Sequence, residues 1–515
     1  MGPIDNNSWL KPFKSLLLIT ALMLLIIGWT FHNQWTVPKT WDIYEIEEAH
    51  LPPPDSTVEI EYAPEAYYNS LPEHVIYKSY PVYAKEFEPD GYLDSLRNLD
   101  PEIVFDPNKI TTEADWIRAG EEVFFWPANF NDADSIIFAQ IDSDYLRGSG
   151  DKITKAGIFP YARYVIKEKG KILFGDLACA NCHSRVTENG DVIIGAQGNH
   201  AFNSGFGYFM KKFNIPVDPV NHDFVLMTGT PWVDNRELIM GRTQQEVIAS
   251  LMACPLGAMS RQGTAFDLPI RVPSLIGIRD IKYLDHTGLM LHRGPADLMR
   301  YAALNQGMDL LTSYDGFIPM GDNDFSELPG TKEWKNAFGY DPFRYSDAQL
   351  YALTQYIYSL KPPENPNHFP KELLDRGERV FKEEGCVTCH SPPLYTNNML
   401  TPVNGFNPPE THFEKYDIFN VSVETDSVSA LYSRRGTGYY KIPSLLGLWY
   451  RGPFFHNGEL ATLEDVLDPA RLKDDYVPTG FKPANMTTRA VKGHDFGMEL
   501  SKEDKEALIA FLKSL

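Results

Sequence analysis

Cysteine is scarce in this chain, with five residues in 515. Four of them lie in two Cys-x-x-Cys-His strings, so the sequence has no disulfide framework of the kind that stabilises small secreted domains. The fifth, Cys254, has no cysteine left to pair with, and we predict that it is a buried apolar thiol.

Basic residues are also few: 47 Lys and Arg stand against 69 Asp and Glu, which gives a formal net charge of -22. A nucleic-acid-binding protein needs a basic surface to meet the phosphates, so we expect no nucleic-acid partner. Hydrophobic residues at 43% and charged residues at 23% are typical of globular proteins, and the length allows two or three domains.

Long hydrophobic runs are limited to one uncharged stretch, residues 16–31, which follows Lys11 and Lys14. No small-residue cleavage site comes after it, which favours an uncleaved anchor over a signal peptide. Lysines on the N-terminal side predict that this side is cytoplasmic. We therefore predict a cytoplasmic tail (1–12), a single-pass inner-membrane helix (13–32) and a body in the periplasm.

Residues 33–110 are rich in Pro, Tyr and Glu. Proline fixes φ and removes a backbone donor, so this composition predicts an extended wrapping segment rather than a domain. The many tyrosines indicate that the segment lies against the body.

From residue 111 onward the chain repeats a set of landmarks in the same order, which indicates a tandem duplication of a small helical domain. We call residues 111–362 the first half and residues 363–515 the second half. Their shared landmarks are Gly-Glu-x-Val-Phe at Gly120 and Gly377, the Cys-x-x-Cys-His strings, Pro-Ser-Leu-x-Gly at Pro273 and Pro443, His-x-Gly at His286 and His456, and final segments at 346–360 and 501–515. The final segments start with serine and have apolar residues at helical spacing, which predicts capped helices. Only the first half has an insertion, of about 50 residues, before its cysteines.

The Cys-x-x-Cys-His strings are typical of covalent c-type haem attachment, in which two thiols bind the porphyrin edge and the histidine binds the iron. A zinc site would need four ligands, and a thioredoxin-type motif does not require the histidine. We therefore predict two covalently bound haem c groups. The attachment residues are Cys179, Cys182, Cys386 and Cys389, and the iron ligands are His183 and His390.

The two halves differ at the position of a second iron ligand. His494 lies seven residues before Ser501, whereas Gly339 lies seven residues before the equivalent Ser346. We predict that His494 is the sixth ligand of the second haem, with Met498 or Met486 as alternatives, and that the first iron is open to a small molecule. The alternatives that would close the first iron are His200, His222 and His292.

Further candidates come from the first half. The repeat-equivalent His286 and His456 indicate a shared structural role, such as a haem propionate contact, and Arg293 and Arg300 are natural propionate partners. The candidate catalytic residues are His200, His286 and Arg300.

Residues 111–515 resemble the bacterial di-haem cytochrome c peroxidase/MauG superfamily. The resemblance rests on the two Cys-x-x-Cys-His strings, the linker between the halves, and the string YKIPSLLGLWYRGPFFHNGELATLEDVLD at 440–468. It implies a first haem that meets the oxidant and a second haem that relays electrons. A calcium ion between the domains is a further expectation.

The chain departs from the peroxidases of this superfamily at three places. His286 stands where the peroxidases have a tryptophan, Ala470 stands where they have a methionine ligand, and the string that supplies their catalytic glutamate is absent. A second haem with two histidines and an apolar first site is more similar to the rubber-oxygenase and fatty-acid dioxygenase branch.

These observations predict a mainly α fold of two tandem cytochrome c-like helical haem domains behind an N-terminal membrane anchor. The predicted function is a periplasm-facing di-haem oxidoreductase that activates O2 or H2O2 at the first haem. A small cytochrome or cupredoxin is the expected electron donor. The alternatives are a dioxygenase of an apolar substrate and a non-catalytic electron-transfer cytochrome.

Overall fold

The computed structural model describes residues 35–218, 220, 232, 241–260, 264, 266–306, 311–315 and 343–515. The predicted tail (1–12), the predicted anchor (13–32) and the alternative ligand His222 lie outside these residues. Within the described ranges, no helix is both long and apolar enough to cross a membrane. Lys39–Leu515 forms a single compact unit, and the fold below is that of this unit.

The elements of this unit are short α-helices and short strands. The described helices are α1 Ile43–Ala49, α2 Glu65–Ser70, α3 Tyr92–Arg97, α4 Glu113–Phe124, α5 Ser143–Ser149, α6 Cys179–Cys182, α7 Phe202–Phe213, α8 Gln244–Ala253, α9 Pro295–Gln306, α10 Asp347–Ser359, α11 Lys371–Glu383, α12 Glu410–Lys415, α13 Val428–Leu431, α14 Leu463–Val466 and α15 Lys502–Ser514. The described strands are β1 Ile60–Tyr62, β2 Ser79–Tyr83, β3 Asn129–Asp132, β4 Ile158–Glu168, β5 Lys171–Asp176, β6 Ser184–Val186, β7 Val192–Ile194, β8 Ala258–Met259, β9 Ile270–Arg271, β10 Tyr283–Leu284, β11 Met290–Leu291, β12 Thr312–Tyr314, β13 Leu400–Pro402 and β14 Tyr439–Lys441.

Each half contains a pair of helices that cross at close range, α4 with α10 and α11 with α15. The repeated glycines make the close approach possible: a Cβ atom on Gly120 would lie 1.9 Å from the Ala352 carbonyl oxygen, and one on Gly377 would lie 2.1 Å from that of Ala507. Neither crossing could form at this distance with any other residue at the glycine. The duplicated string therefore specifies the same helix contact twice.

The last helix of each pair begins as the sequence predicts. Ser346 accepts a hydrogen bond from the Gln349 N–H, and Ser501 accepts one from the Asp504 N–H, so both serines are N-caps. The predicted helices at 346–360 and 501–515 are confirmed as Asp347–Ser359 and Lys502–Ser514.

The proline- and tyrosine-rich segment lies on the body through strand pairing and aromatic packing. Strand β1 pairs with β12, and β2 pairs with β4, both antiparallel. Three short helices belong to the same segment: α1 precedes β1, α2 lies between β1 and β2, and α3 follows β2. Trp41, 1% exposed, stacks on Tyr68 with ring centroids 4.6 Å apart.

The insertion before the first cysteines forms most of a four-stranded antiparallel sheet, in the order β2-β4-β5-β3. The inward face of the sheet packs on α5 and α7 through a core that includes Phe159, Tyr161 and Phe209. Strand β5 ends at Asp176, three residues before Cys179. The sheet therefore fixes where the first Cys-x-x-Cys-His string begins.

The Pro-Ser-Leu-x-Gly strings join the two halves in a reciprocal way. Strand β9 precedes Pro273, strand β14 precedes Pro443, and their last residues, Arg271 and Lys441, are repeat-equivalent. The Arg271 N–H donates to the His456 carbonyl at 2.8 Å, and the Lys441 N–H donates to the His286 carbonyl at 2.9 Å. Equivalent residues thus exchange equivalent hydrogen bonds across the boundary between the halves.

Candidate haem-binding sites

The first Cys-x-x-Cys-His string forms one turn of helix, α6, and His183 follows it directly. The His183 Nδ1–H donates to the carbonyl oxygen of Pro273 at 3.0 Å. This hydrogen bond places the ring proton on Nδ1, the tautomer in which Nε2 is the basic nitrogen. The repeated proline string therefore orients the predicted iron ligand.

A cavity of about 580 Å³ opens beside this string, and Cys179, Cys182 and His183 all line it. A volume of this size is within the range of sites that bind a cofactor-sized ligand. The walls are largely aromatic, with Phe138, Phe159, Phe174, Phe202, Phe206 and Phe209 among the lining residues. The first site thus combines both attachment thiols, an oriented imidazole and an apolar space for a flat ligand.

His200 lines the same cavity and is held by a buried carboxylate. Its Nδ1–H donates to Asp151 Oδ1 at 3.0 Å, and its ring stacks on Tyr161 with centroids 4.5 Å apart. Asp151 also accepts hydrogen bonds from the Tyr145 hydroxyl at 2.6 Å and from the Ala201 N–H at 2.8 Å. This arrangement leaves Nε2 of His200 as the basic nitrogen, on a ring that cannot easily rotate.

Asp176 is a second protonable group on the cavity wall. Its Oδ1 is buried without a hydrogen-bond partner in the described structure, and burial raises the pKa of the carboxyl to about 6. The first site therefore contains a carboxyl group that can exchange a proton near neutral pH, on the wall that also includes the His200 imidazole.

The second Cys-x-x-Cys-His string forms a 3-10 turn, Cys386–Thr388, and His390 follows it. The His390 Nδ1–H donates to the Tyr395 carbonyl at 3.1 Å, and the Pro443 carbonyl also bonds this ring. Burial lowers the pKa of His390 to about 4. The ring is therefore neutral at physiological pH, as a metal-binding imidazole must be.

His494 faces His390, with ring centroids 6.4 Å apart and ring planes inclined by 54°. Two imidazoles that bind one metal from opposite sides have nitrogens about 2 Å from the metal and ring centres roughly 1 Å further out, which gives about 6 Å between centres. The Nδ1 of His494 is buried without a hydrogen-bond partner among the described residues. These observations fit a metal between the two rings, whereas the alternative Met486 is 45% exposed.

Arg471, which sequence reasoning missed, holds the backbone that presents His494. Its buried guanidinium donates to the carbonyls of Val466 at 3.0 Å, Val491 at 2.5 Å and His494 at 2.6 Å. His494 has a φ of +48°, a left-handed conformation that is uncommon outside glycine and often marks functional positions. Arg471 stabilises this backbone conformation through its hydrogen bond to the His494 carbonyl oxygen.

His292, an alternative ligand of the first iron, has both ring nitrogens engaged. Nδ1 bonds the Ile281 carbonyl at 2.7 Å, and Nε2 bonds the Tyr358 hydroxyl at 2.6 Å. This leaves the ring no nitrogen for a metal.

His286, Arg293 and Arg300 lie outside the residues that line the cavity. His286 donates from Nε2 to the Arg271 carbonyl, and burial lowers its pKa to about 3. Arg293 and Arg300 both bind the carboxylate of Asp297, at 2.9 and 2.8 Å. Among the candidate catalytic residues, the structure thus brings only His200 together with the first haem string.

Four residues that support the candidate sites were not among the residues predicted from the sequence. For two of them the sequence contains a signal, and for the other two it does not. Arg271 and Lys441 share an offset of two residues before the repeated proline, which is a detectable signal. Asp151 and Arg471 have no such signal, because they act on residues 49 and 23 positions away. In the part of the chain that the structure describes, no group of three or more His, Cys, Asp or Glu could hold a metal ion, so the expected calcium ion has no ligand cluster there.

Comparison with known proteins gives distant likenesses only. No protein-family model and no curated protein matches the chain. A structure of Kuenenia stuttgartiensis hydrazine synthase under xenon pressure is 15% identical, with a TM-score of 0.29, over 58% of this chain and 87% of that one. A MauG-like protein associated with microbial copper homeostasis is 18% identical, with a TM-score of 0.22, over 35% of this chain and 62% of that one. Neither likeness assigns a fold or a family.

Proposed function

We propose that the chain is a haem oxidoreductase with two covalently bound c-type haems, akin to the di-haem cytochrome c peroxidase/MauG superfamily. The observation that carries this proposal is the difference between the two Cys-x-x-Cys-His strings. His390 at the second string is faced by another histidine 6.4 Å away. His183 at the first string lines an apolar cavity that His200 also lines, and the Asp151 carboxylate holds the His200 ring.

The second site is suited to electron relay. His390 and His494 would both hold an iron placed between them, and an iron held by two protein ligands would transfer electrons rather than bind a small molecule. The aromatic contact between His494 and Phe496, with centroids 5.4 Å apart, connects this site to the surface, since Phe496 is 40% exposed. An external donor protein would therefore supply electrons at the second site.

The first site is suited to chemistry on O2 or H2O2. A bound haem supplies an iron that can bind and reduce such a molecule. The Nε2 of His200 can accept a proton from a peroxide in the cavity and return it to the departing oxygen, while Asp151 stabilises the imidazolium that forms in between. His200 thus provides the acid–base function that the missing glutamate string provides in related peroxidases.

An oxygenase that acts on an apolar substrate is the second candidate. The phenylalanine-rich wall of the cavity favours it, because seven phenylalanines offer little to a polar substrate. The two candidates differ in their need for electrons: a peroxidase consumes two from a donor for each peroxide, whereas a dioxygenase places both oxygen atoms in the substrate and consumes none.

The membrane anchor at 13–32 and the periplasmic location of the body are part of this proposal. They agree with covalent haem attachment, which takes place outside the cytoplasm. Membrane fractionation of cells expressing the full chain tests them: release of the protein by salt alone would contradict an anchor.

The test is the haem content and spin state of the full chain, expressed with c-type haem maturation. We expect two haems per chain, one low-spin and one high-spin by EPR, with cyanide binding only to the high-spin haem. Peroxide should change the spectrum of that haem, and His200→Gln should slow the change about 100-fold or more. His292→Gln is the matched control, because His292 bonds only groups outside the cavity, and it should leave the rate unchanged.

Three outcomes decide between the candidates. Peroxide reduction that requires a donor supports the peroxidase, and O2 consumption with an apolar alkene but without a donor supports the oxygenase. Two low-spin haems that bind neither cyanide nor peroxide, in both redox states, would leave only an electron-transfer cytochrome. A chain without haem would overturn the whole proposal.

A further inference from the structure

Three cationic side chains meet where the two halves join: Arg271, Lys441 and Arg451. We call them the interface cations. Arg271 and Lys441 are repeat-equivalent, and each donates its backbone N–H to the half that it does not belong to. Arg451 lies close enough to lower the pKa of both of the other side chains by charge repulsion. The duplication has therefore placed like charges side by side.

The interface cations bond only to neutral oxygen atoms in the part of the chain that the structure describes. Arg271 donates to the Phe455 carbonyl at 2.9 Å and to the Gln197 side-chain oxygen at 2.6 Å. Lys441 donates to the Tyr283 carbonyl at 3.1 Å, and Arg451 donates to the Ser444 carbonyl at 2.7 Å. The Arg451 Nε is buried without a partner.

This arrangement is electrostatically unfavourable for the protein alone. Burial lowers the pKa of Arg271 to about 9 and that of Lys441 to about 8. Cations removed from water without a counter-ion cost several kcal/mol each, and proteins normally pair them with carboxylates. An anion at this interface would offset that cost.

Other arginines of both halves show the usual pairing. Arg293 and Arg300 share the carboxylate of Asp297, and Arg435 pairs with Asp285 at 3.0 Å. Asp285 lowers the electrostatic cost of Lys441, but its carboxylate also bonds the Tyr301 hydroxyl at 2.7 Å. The carboxylate that acts on Lys441 is therefore already shared among several donors.

The interface cations reach both haem strings. Lys441 belongs to the second half, yet its side chain lines the cavity of Cys179, Cys182 and His183 in the first half. Arg271 stands two residues before Pro273, whose carbonyl orients His183, and Lys441 stands two residues before Pro443, whose carbonyl bonds His390 in the second half. A charge change at either residue would therefore be felt in both halves.

We propose that the interface cations bind the propionate carboxylates of both haems and so couple the redox potentials of the two irons. The inference rests on the proposed function, because it requires haem at both strings. A positive charge near an iron favours its reduced form, in which the iron has taken up one electron. Removal of one interface cation should therefore lower the midpoint potential of both haems, and not only of the haem in the same half.

The test is a spectroelectrochemical titration of the full, haem-loaded chain with small-molecule mediators. We expect Arg271→Gln and Lys441→Gln each to lower both midpoint potentials by a tenfold change in the redox equilibrium, which is 59 mV for one electron. Arg271→Lys keeps the charge and should shift both by less than half of this. Arg163→Gln is the matched control: burial also lowers the pKa of Arg163, and it bonds the neutral oxygens of Ser79, but it does not line the cavity.

A shift confined to one haem would overturn the coupling, and no shift in either haem would overturn propionate binding. The number of haems bound by the wild-type chain is measured first. Fewer than two haems would contradict the proposed function itself, whereas the potentials of the variants test only the inference about the interface cations. If Arg271→Gln gives no loaded protein, Lys441→Gln and Arg271→Lys decide: unchanged potentials in Lys441→Gln would refute the inference.

Discussion

Replacement of Arg471 by methionine is expected to release His494 from the second haem. The substitution keeps an unbranched apolar side chain but removes the guanidinium and its hydrogen bonds to the carbonyls of Val491 and His494, at 2.5 and 2.6 Å. A hydrogen bond from a charged group contributes about 1.5–3 kcal/mol, so the loop loses roughly 3–6 kcal/mol. The left-handed backbone of His494 adds about 1 kcal/mol of strain that release removes.

A loss of 3 kcal/mol changes an equilibrium constant by roughly 100-fold, which is enough to populate the released state visibly. The assay is EPR of the Arg471→Met chain: the low-spin signal of the second haem should fall and a second high-spin signal should appear. Added imidazole should restore the low-spin signal, and a denaturant titration of the same variant shows whether the chain is still folded.

Arg376→Met is the matched control for this experiment. Arg376 pairs with Asp504 at 2.8 Å on a partly exposed surface and does not touch the His494 loop. A pair of this kind contributes about 1 kcal/mol or less, so the EPR spectrum should not change. An unchanged low-spin signal in Arg471→Met, with a free energy of unfolding within about 1 kcal/mol of wild type, would refute the role of Arg471.

Three further predictions concern ligation, packing and pH. His494→Ala should make the second haem high-spin and able to bind cyanide, measured optically, and a spectrum identical to wild type would mean that another residue is the ligand. Gly377→Ala should lower the free energy of unfolding by about 1–3 kcal/mol in denaturant titrations, because its Cβ would overlap the Ala507 carbonyl. Gly294→Ala, where a Cβ meets nothing within 4 Å, should cost much less. Burial lowers the pKa of His286 to about 3, so this histidine is neutral when folded and takes up a proton on unfolding. Its contribution to stability is present above about pH 6.5 and is lost at about 1.4 kcal/mol per pH unit as the pH falls toward 3. In His286→Asn this part of the slope should disappear, and an unaltered slope between pH 6.5 and pH 5 would show that His286 does not titrate on unfolding.

The features predictable from the sequence are those whose chemistry lies within a few residues. The serine caps of α10 and α15 bond N–H groups three residues away, and the predicted helices therefore match the structure closely. Comparison of the repeats also singled out His494, since its equivalent in the first half is a glycine. The four-stranded sheet was missed because its strands pair over long distances, as in the contact of β2 with β4.

The roles of individual histidines could not be assigned from the sequence. His200 and His292 were equal candidates as ligands, because each is a lone histidine in the first half. The fold brings Asp151 to Nδ1 of His200 from 49 residues away and leaves Nε2 in the cavity. It brings the Tyr358 hydroxyl to His292 from 66 residues away, so that both nitrogens of that ring are occupied.

The sequence by itself determined the two Cys-x-x-Cys-His strings, the repeated landmarks and the helices that end each half, because residue spacing and helix caps are local properties of the chain. Tertiary structure alone decided which histidine faces a cavity, which arginine supports His494 and which cations share the boundary between the halves. Each of these depends on a hydrogen bond or a charge contact between residues far apart in sequence. Such contacts form only when the chain has folded and brought those residues together.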